Sequence, residues 1–186
     1  MDFAGAFQAV LSRFQEESIE VALIGGLALG ASGVARATLD MDLLIPKEEA
    51  SHVRTIMRSL GYTLLHESAE VANYIHSEAA GGRVDFLYAH RPYARAMLSR
   101  AREMSIGGGQ HRVKVLRVED QIGLKVQSSS NDPTRYHQDM ADIEALLRAH
   151  RDGVDRGLLK EYFELFERGK EFERLCQQVD QIHDAQ

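Results

Sequence analysis

Three aspartates in strand-like surroundings are the residues of this chain best suited to chemistry. Asp40 and Asp42 precede the apolar run Leu43–Ile45, and Asp85 lies beside the apolar run Phe86–Tyr88. Residues i and i+2 of a strand point to the same face, so Asp40 and Asp42 are expected to project together, about 7 Å apart. Carboxylate oxygens are the ligands that Mg²⁺ prefers. The spacing predicts a site that holds two divalent ions roughly 4 Å apart for an in-line phosphoryl displacement.

A glycine pair supplies a second element of the predicted site. Gly25-Gly26 follows the strand-like segment Val21–Ile24 and precedes the helix-like segment Leu27–Leu29. Glycine permits close approach of a ligand to the backbone, and the start of a helix favours anions. We therefore expect Gly25 and Gly26 to present backbone N–H groups to the triphosphate of a nucleotide.

The order of these elements resembles the DNA polymerase beta nucleotidyltransferase superfamily. Its members carry an apolar strand, then Gly-Gly or Gly-Ser, then an Asp-x-Asp pair, and then a third acid on a further strand. Arg36-Ala37-Thr38 also resembles the Arg-x-Thr segment that precedes the acidic pair in that superfamily. The resemblance implies catalytic and metal-binding roles for Asp40, Asp42 and Asp85, and nucleotide-binding roles for Gly25, Gly26, Arg36 and Thr38.

The segment that follows resembles the AbiEii-like branch, found among bacterial toxin–antitoxin and phage-defence proteins. Its members often have a lysine-bearing helix and then a Lys/Arg-x-x-Asp-x-x-Asp-Ile-type helix, which here correspond to residues 118–125 and 135–143. The resemblance implies that Lys125 contacts the triphosphate or braces an aspartate, and that a cognate antitoxin is a partner. The residues alone allow a surface lysine, with Asp139 and Asp142 paired to Arg135 or Arg148.

Positive charge is concentrated in one segment, although the whole chain has a formal net charge of −6. Residues 91–117 carry seven basic side chains against Glu103 alone. Two interpretations are open: a solvated helix and hairpin, or a phosphate-facing patch for a nucleotide or RNA acceptor. The spacing of Arg91, Arg95 and Arg102 predicts that these three lie on one helix face.

The fold class predicted for the 186-residue chain is α/β (α+β), a nucleotidyltransferase-fold mixed sheet flanked by helices with a helical C-terminal extension. Residues 1–117 are predicted to form the core, and residues 118–186 a helical region packed on it. The predicted helices cover 2–17, 26–33, 46–60, 92–102, 118–129, 134–149, 155–168 and 170–183. The predicted strands cover 20–24, 39–45, 62–66, 71–77 and 83–89, with a hairpin at 104–116 turning on Gly107-Gly108-Gly109.

Cysteine content bears on the compartment. Cys176 is the single cysteine, which excludes an intramolecular disulfide and favours a reducing, cytoplasmic location. It lies among Phe172, Leu175 and Val179 at helical spacing, so we expect a packed apolar residue rather than a nucleophile. Neither a membrane nor DNA is expected as a partner.

These patterns predict a Mg²⁺- or Mn²⁺-dependent transfer of a nucleoside monophosphate from an NTP to an acceptor hydroxyl. The acceptor could be a tRNA 3′ end, a protein or a small molecule such as an aminoglycoside. One alternative is a catalytically inactive protein of the same fold with a binding or regulatory role, which the presence of all three aspartates disfavours. Another is a glycosyltransferase that holds a sugar nucleotide with Asp-x-Asp, which Gly25-Gly26 and the short interval to Asp85 disfavour.

Overall fold

A computed structural model describes residues 3–38, 40–78, 81–106 and 111–184. The chain divides into two compact units. The first comprises residues 1–31 and 36–117, and the second comprises residues 32–35 and 118–186. No helix within the described ranges is long and apolar enough to cross a bilayer.

The first unit contains a seven-stranded mixed sheet, which confirms the predicted fold class. Its strands are β1 (Ala22–Leu23), β2 (Asp40–Pro46), β3 (Tyr62–Glu67), β4 (Val71–His76), β5 (Arg83–Ala89), β6 (Arg102–Ile106) and β7 (His111–Val115). They lie in the order β3-β4-β5-β2-β1-β7-β6. Strand β2 is parallel to β5, and β1 is parallel to β7, whereas the other neighbours are antiparallel. The strands that carry the aspartates are therefore adjacent inside the sheet.

Helices of the first unit bury one apolar face each. They are α1 (Phe3–Glu16), α2 (Gly25–Ala31), α3 (Ala50–Ser59) and α4 (Pro92–Arg100). In α1, Phe7, Val10 and Phe14 are buried at helical spacing, and they join the core with Met41 and Phe86. This core fixes one face of the sheet, so the polar residues of β2 and β5 lie on the other face.

The second unit has four α-helices within the described residues: α5 (Val118–Asn131), α6 (Tyr136–Ala149), α7 (Arg156–Leu165) and α8 (Gly169–Asp184). Asp155 caps α7, because its carboxylate accepts hydrogen bonds from the backbone N–H groups of Gly157 and Leu158. Phe172, Leu175 and Val179 are buried, and burial raises the pKa of the neighbouring Cys176 thiol. Cys176 itself is partly buried among them, which fits a packing residue better than a nucleophile.

The end of helix α4 differs from its predicted position in a way that changes the charge pattern. Helix α4 ends at Arg100, and Arg102 is the first residue of β6, opposite Val115 of β7. The prediction that Arg91, Arg95 and Arg102 share a helix face is therefore wrong, because strand pairing determines the conformation of Arg102. Strands β6 and β7 confirm the two arms of the hairpin, whereas its predicted turn at residues 107–109 lies outside the described residues, as does Leu39.

Candidate active site

The two aspartates of β2 lie on one face of the strand, as their spacing predicts. Burial alternates over the first four residues of β2: Asp40 is exposed and Asp42 is partly buried, while Met41 and Leu43 are fully buried on the opposite face. The apolar residues are held by the core of the first unit. The strand that carries the two carboxylates is therefore held in place by the core.

Strand pairing brings the third aspartate beside the second. In the parallel pairing of β2 with β5, Asp42 lies opposite Asp85, and Asp40 lies opposite Arg83. In the antiparallel pairing of β5 with β4, Asp85 lies opposite Asn73. Because adjacent strands are about 4.8 Å apart, Asn73, Asp85 and Asp42 form a row across three strands.

The carboxylate of Asp85 is held by two donors. Its Oδ1 accepts a hydrogen bond from Nδ2 of Asn73 at 2.8 Å and another from Nε of Arg83 at 2.9 Å. The hydrogen bond to Asp85 raises the pKa of the Arg83 guanidinium, and the charges of Asp85, Asp40 and Asp42 act in the same direction. Arg83 therefore lies in the electrostatic field of all three carboxylates.

The three aspartates have the chemistry of a Mg²⁺ site but do not supply a complete set of ligands. Within residues 3–38, 40–78, 81–106 and 111–184, no three His, Cys, Asp or Glu side chains are placed to hold one metal ion. Asp42 and Asp85 are cross-strand neighbours, but Oδ1 of Asp85 is bound by Arg83. Because Mg²⁺ commonly takes one or two carboxylates together with waters and substrate phosphates, these residues fit an ion whose remaining ligands come from a nucleotide.

The glycine pair lies against the side chains of the site. Gly25 has φ +64°, and a Cβ atom placed on it would lie 2.0 Å from Oδ2 of Asp42. A Cβ atom on Gly26 would lie 2.8 Å from Cβ of Thr38. The backbone N–H of Ile24 also donates to the carbonyl oxygen of Asp42 at 2.9 Å. The two glycines therefore make room for Asp42 and Thr38, and their role toward phosphate stays a prediction.

Arg36 and Thr38 lie in the irregular segment that leads into β2. Oγ1 of Thr38 accepts a hydrogen bond from the backbone N–H of Asp40 at 3.3 Å. This contact ties the lead-in segment to the first aspartate. Arg36 is partly buried. A nucleotide-binding role for Arg36 and Thr38 stays a prediction.

Lys125 belongs to the second unit and braces two aspartates there. Its side chain is only 12% exposed, and its Nζ lies 3.2 Å from Oδ1 of Asp139 and 2.5 Å from Oδ2 of Asp142. Arg135 contacts the second oxygen of Asp139 at 3.4 Å, whereas Arg148 pairs with Glu144 instead. Lys125 is therefore not a surface lysine, and its contact with a triphosphate stays a prediction.

This cluster gives a prediction about stability. We expect Lys125→Met to lower the free energy of unfolding by about 3–5 kcal/mol, because it removes the lysine cation from the buried carboxylates of Asp139 and Asp142. Chemical denaturation measures the change. In the control Lys160→Met, the lysine is 53% exposed and lies 3.7 Å from Glu164, so we expect a loss of no more than about 1 kcal/mol. Equal small losses in both variants would contradict the structural role of Lys125.

Sequence reasoning missed Asn73 and Arg83. Arg83 could have been found, because Arg83 and Asp85 are two residues apart in a strand and so share a face. Asn73 carries a weaker signal, as a polar residue inside the strand Val71–His76. Its position beside Asp85 depends on the register of β4 and β5, which local sequence does not specify.

Several basic side chains of segment 91–117 form ion pairs with glutamates. Arg95 makes two hydrogen bonds to Glu48, of 2.8 and 2.9 Å. Three further ion pairs join Arg112 to Glu103 at 2.8 Å, Lys114 to Glu20 at 3.4 Å, and Arg91 to Glu70 at 3.5 Å. Because the basic residues are spread over the start of α4, α4 itself and β7, the segment does not present the single basic helix face that its sequence predicts.

The mixed sheet, the glycine pair and the aspartates of two parallel neighbours define the nucleotidyltransferase class. Residues 1–176 match the model of a family described as uncharacterised nucleotidyltransferase, and the chain belongs to this family. The family confirms the predicted superfamily and the class of enzyme. A search of curated protein sequences gave no match.

Solved structures show the same fold at low sequence identity. The crystal structure of ANT(2'')-Ia in complex with adenylyl-2''-tobramycin matches with a TM-score of 0.64 and 16% identity, over 86% of this chain and 94% of that chain. The solution structure of the antibiotic-resistance factor ANT(2'')-Ia gives 0.62 and 17%, over 100% of both chains. The lincomycin-bound lincosamide antibiotic adenylyltransferase LnuA gives 0.52 and 15%, over 76% of this chain and 94% of that chain.

Proposed function

We propose that this enzyme transfers a nucleoside monophosphate from an NTP to an acceptor hydroxyl and releases pyrophosphate, in a reaction that requires Mg²⁺ or Mn²⁺. The observation that carries the proposal is the register of β2 and β5, which sets Asp42 beside Asp85. Asp40 shares their face of the sheet, and Gly25 leaves room for the carboxylate of Asp42. Three carboxylates thus face one surface, where nucleotide phosphates can approach.

Each carboxylate has a distinct proposed role. Asp40 and Asp42 hold the divalent ions, and bound Mg²⁺ would stabilise charge on the attacking and leaving oxygens. Asp85 completes the metal site and accepts the proton of the acceptor hydroxyl, as a positioned general base does. Gly25, Gly26, Arg36 and Thr38 of the first unit are the proposed contacts to the nucleotide.

A small molecule is the acceptor class that we propose. The basic residues of segment 91–117 are partly neutralised by Glu48, Glu103, Glu20 and Glu70, which disfavours a polynucleotide track of the kind that binds phosphate backbones. Two proteins of similar fold were solved with adenylyl-2''-tobramycin and with lincomycin. These two observations support a hydroxyl of an aminoglycoside-like or lincosamide-like compound over a tRNA end or a protein.

The AbiEii-like branch and the cognate antitoxin remain predictions from the sequence resemblance. So does the cytoplasmic location. An affinity purification from the native host, performed at natural expression level, tests the antitoxin directly. A stoichiometric protein partner that blocks nucleotide transfer would support it.

Incubation with nucleotides labelled at the α-phosphate tests the proposed reaction. Each NTP is combined with Mg²⁺ or Mn²⁺ and with aminoglycosides, lincosamides, total tRNA or protein in separate reactions. We expect label to pass to a small molecule, and to be lost in an Asp40→Asn/Asp42→Asn control. Label on tRNA or protein would change the acceptor class. The absence of transfer to every acceptor, together with intact nucleotide binding, would favour the inactive binding protein.

Metal binding gives a separate prediction. We expect Mn²⁺ to bind weakly alone and much more tightly with a non-hydrolysable NTP analogue, because phosphates supply ligands in addition to the carboxylates. Calorimetry measures both affinities. Asp40→Ala/Asp42→Ala should remove the tight binding, whereas Asp152→Ala, at a side chain that is 99% exposed in the second unit, should not. The same affinity in wild type and double variant would contradict the site.

A further inference from the structure

We propose that Asn73 is a positioning residue for the reaction, acting through Asp85. Its side-chain amide fixes one oxygen of the Asp85 carboxylate and leaves the other oxygen for the acceptor hydroxyl and the metal. The inference rests on the proposed function, because it assigns Asn73 to the group that accepts the proton. Asn73 itself touches neither substrate nor metal in this assignment.

The hydrogen-bond pattern supports this division of the carboxylate. Nδ2 of Asn73 lies 2.8 Å from Oδ1 of Asp85, and Nε of Arg83 contacts the same oxygen. Within the described residues, Oδ2 of Asp85 accepts no hydrogen bond from a side chain. With Oδ1 occupied by its donors, Oδ2 remains available to a ligand. The Asp85 side chain is 25% exposed, so a ligand can reach it.

The strand holds Asn73 firmly in place. Its neighbours Ala72 and Tyr74 are 0% and 1% exposed and point into the core on the opposite face of β4. Asn73 lies directly opposite Asp85 in the antiparallel ladder. An amide on a rigid strand can therefore set the orientation of the facing carboxylate, in the way that outer hydrogen-bond partners orient metal ligands.

Asn73 and Arg83 differ in what they do to that carboxylate. Arg83 carries a positive charge close to the site, and this charge repels any cation that binds there. The Asn73 amide is neutral, so its hydrogen bond to Asp85 is compatible with a cation on the other oxygen. Asn73 is consequently the donor that can keep Asp85 oriented throughout the reaction.

Two variants of Asn73 test the inference. Asn73→Leu removes the donor at similar volume, and Asn73→Gln retains an amide that can partly replace it. We expect Asn73→Leu to lower both kcat and the Mn²⁺ affinity measured with a non-hydrolysable NTP analogue by about 10–100-fold, as loss of an outer partner of a metal ligand does. The KM for NTP, measured at saturating Mn²⁺, should be unchanged, and Asn73→Gln should recover part of both losses.

Controls separate positioning from folding. Ile75→Thr alters the same face of the same strand, at a side chain that is 44% exposed, and should leave kcat and Mn²⁺ affinity unchanged. In an Asp85→Asn background, Asn73→Leu should have no further effect on Mn²⁺ affinity. Unchanged kcat and Mn²⁺ affinity in Asn73→Leu, or equal losses in Ile75→Thr, would overturn the inference.

A spectroscopic measurement distinguishes failure of the inference from failure of the proposed function. The side-chain amide ¹⁵N–¹H signals of Asn73, assigned by their loss in Asn73→Leu, should shift when Asp85 is changed to Asn. Wild-type protein that neither transfers nucleotide nor binds Mn²⁺ with nucleotide would overturn the proposed function. If the wild type is active and the Asn73 signals do not change in Asp85→Asn, the inference is overturned and the proposed function stands.

Discussion

Asp85→Asn is expected to lower kcat by roughly 10²–10⁴-fold, the range for loss of a general base. The substitution keeps the shape of the side chain but removes the charge that we propose accepts a proton and binds metal. Asn73 and Arg83 contact the carboxylate at present, so the strand and its pairing should survive. Steady-state kinetics gives kcat, and calorimetry with an NTP analogue should show that nucleotide still binds.

A glutamate elsewhere in the first unit provides the control for this experiment. Glu103 lies on β6, with a side chain that is 61% exposed and paired to Arg112. Glu103→Gln removes one negative charge from the same unit and should leave kcat unchanged. Near-normal kcat in Asp85→Asn would assign Asp85 to a structural role and would leave the reaction without its proposed base.

Gly25→Ala is expected to reduce kcat by about 100-fold, since a misplacement of about 1 Å at a reacting centre can cost this much. The new Cβ atom would lie 2.0 Å from Oδ2 of Asp42, so the carboxylate has to move. The backbone at Gly25 also has φ +64°, where a non-glycine residue is strained by about 1–2 kcal/mol. Thermal unfolding should therefore show a lower Tm alongside the kinetic loss.

Gly30→Ala is a matched control within the same helix. A Cβ atom on Gly30 would meet no heavy atom within 4 Å. Because alanine is favoured over glycine inside a helix, Gly30→Ala should stabilise the protein by about 0.5–1 kcal/mol without changing kcat. If Gly25→Ala kept normal kcat, the position of Asp42 would not matter to the reaction.

The sequence predicts those parts of the site that depend on local geometry. The shared face of Asp40 and Asp42 follows from the period of a strand, and the buried stripe of α1 follows from the period of a helix. Both periods are properties of the backbone itself. These periods apply wherever the chain forms a helix or a strand, so they can be used without knowing which elements lie beside it.

The parts that depend on pairing could not be predicted in the same way. The alignment of Asp42 with Asp85 and of Asp85 with Asn73 requires the register of three strands, which forms through contacts between distant residues. The charge pattern of α4 continues to Arg102 and predicts a helical residue there, but pairing with β7 makes Arg102 part of a strand. Lys125 shows that burial also depends on contacts with distant residues. Lysine side chains usually lie at the surface, but pairing with two aspartates keeps this one largely buried.

The parallel pairing of β2 with β5 has a consequence for the order of events during synthesis. Asp40 and Asp42 emerge from the ribosome before β3, β4 and β5, and the strand that carries Asp85 completes the row last. Contacts between residues so far apart form slowly, because a long loop must first be closed. A nascent or truncated chain that lacks β5 therefore carries the acidic pair without its proposed base. Catalytic competence should accordingly be absent until the fifth strand docks, whatever length of chain precedes it.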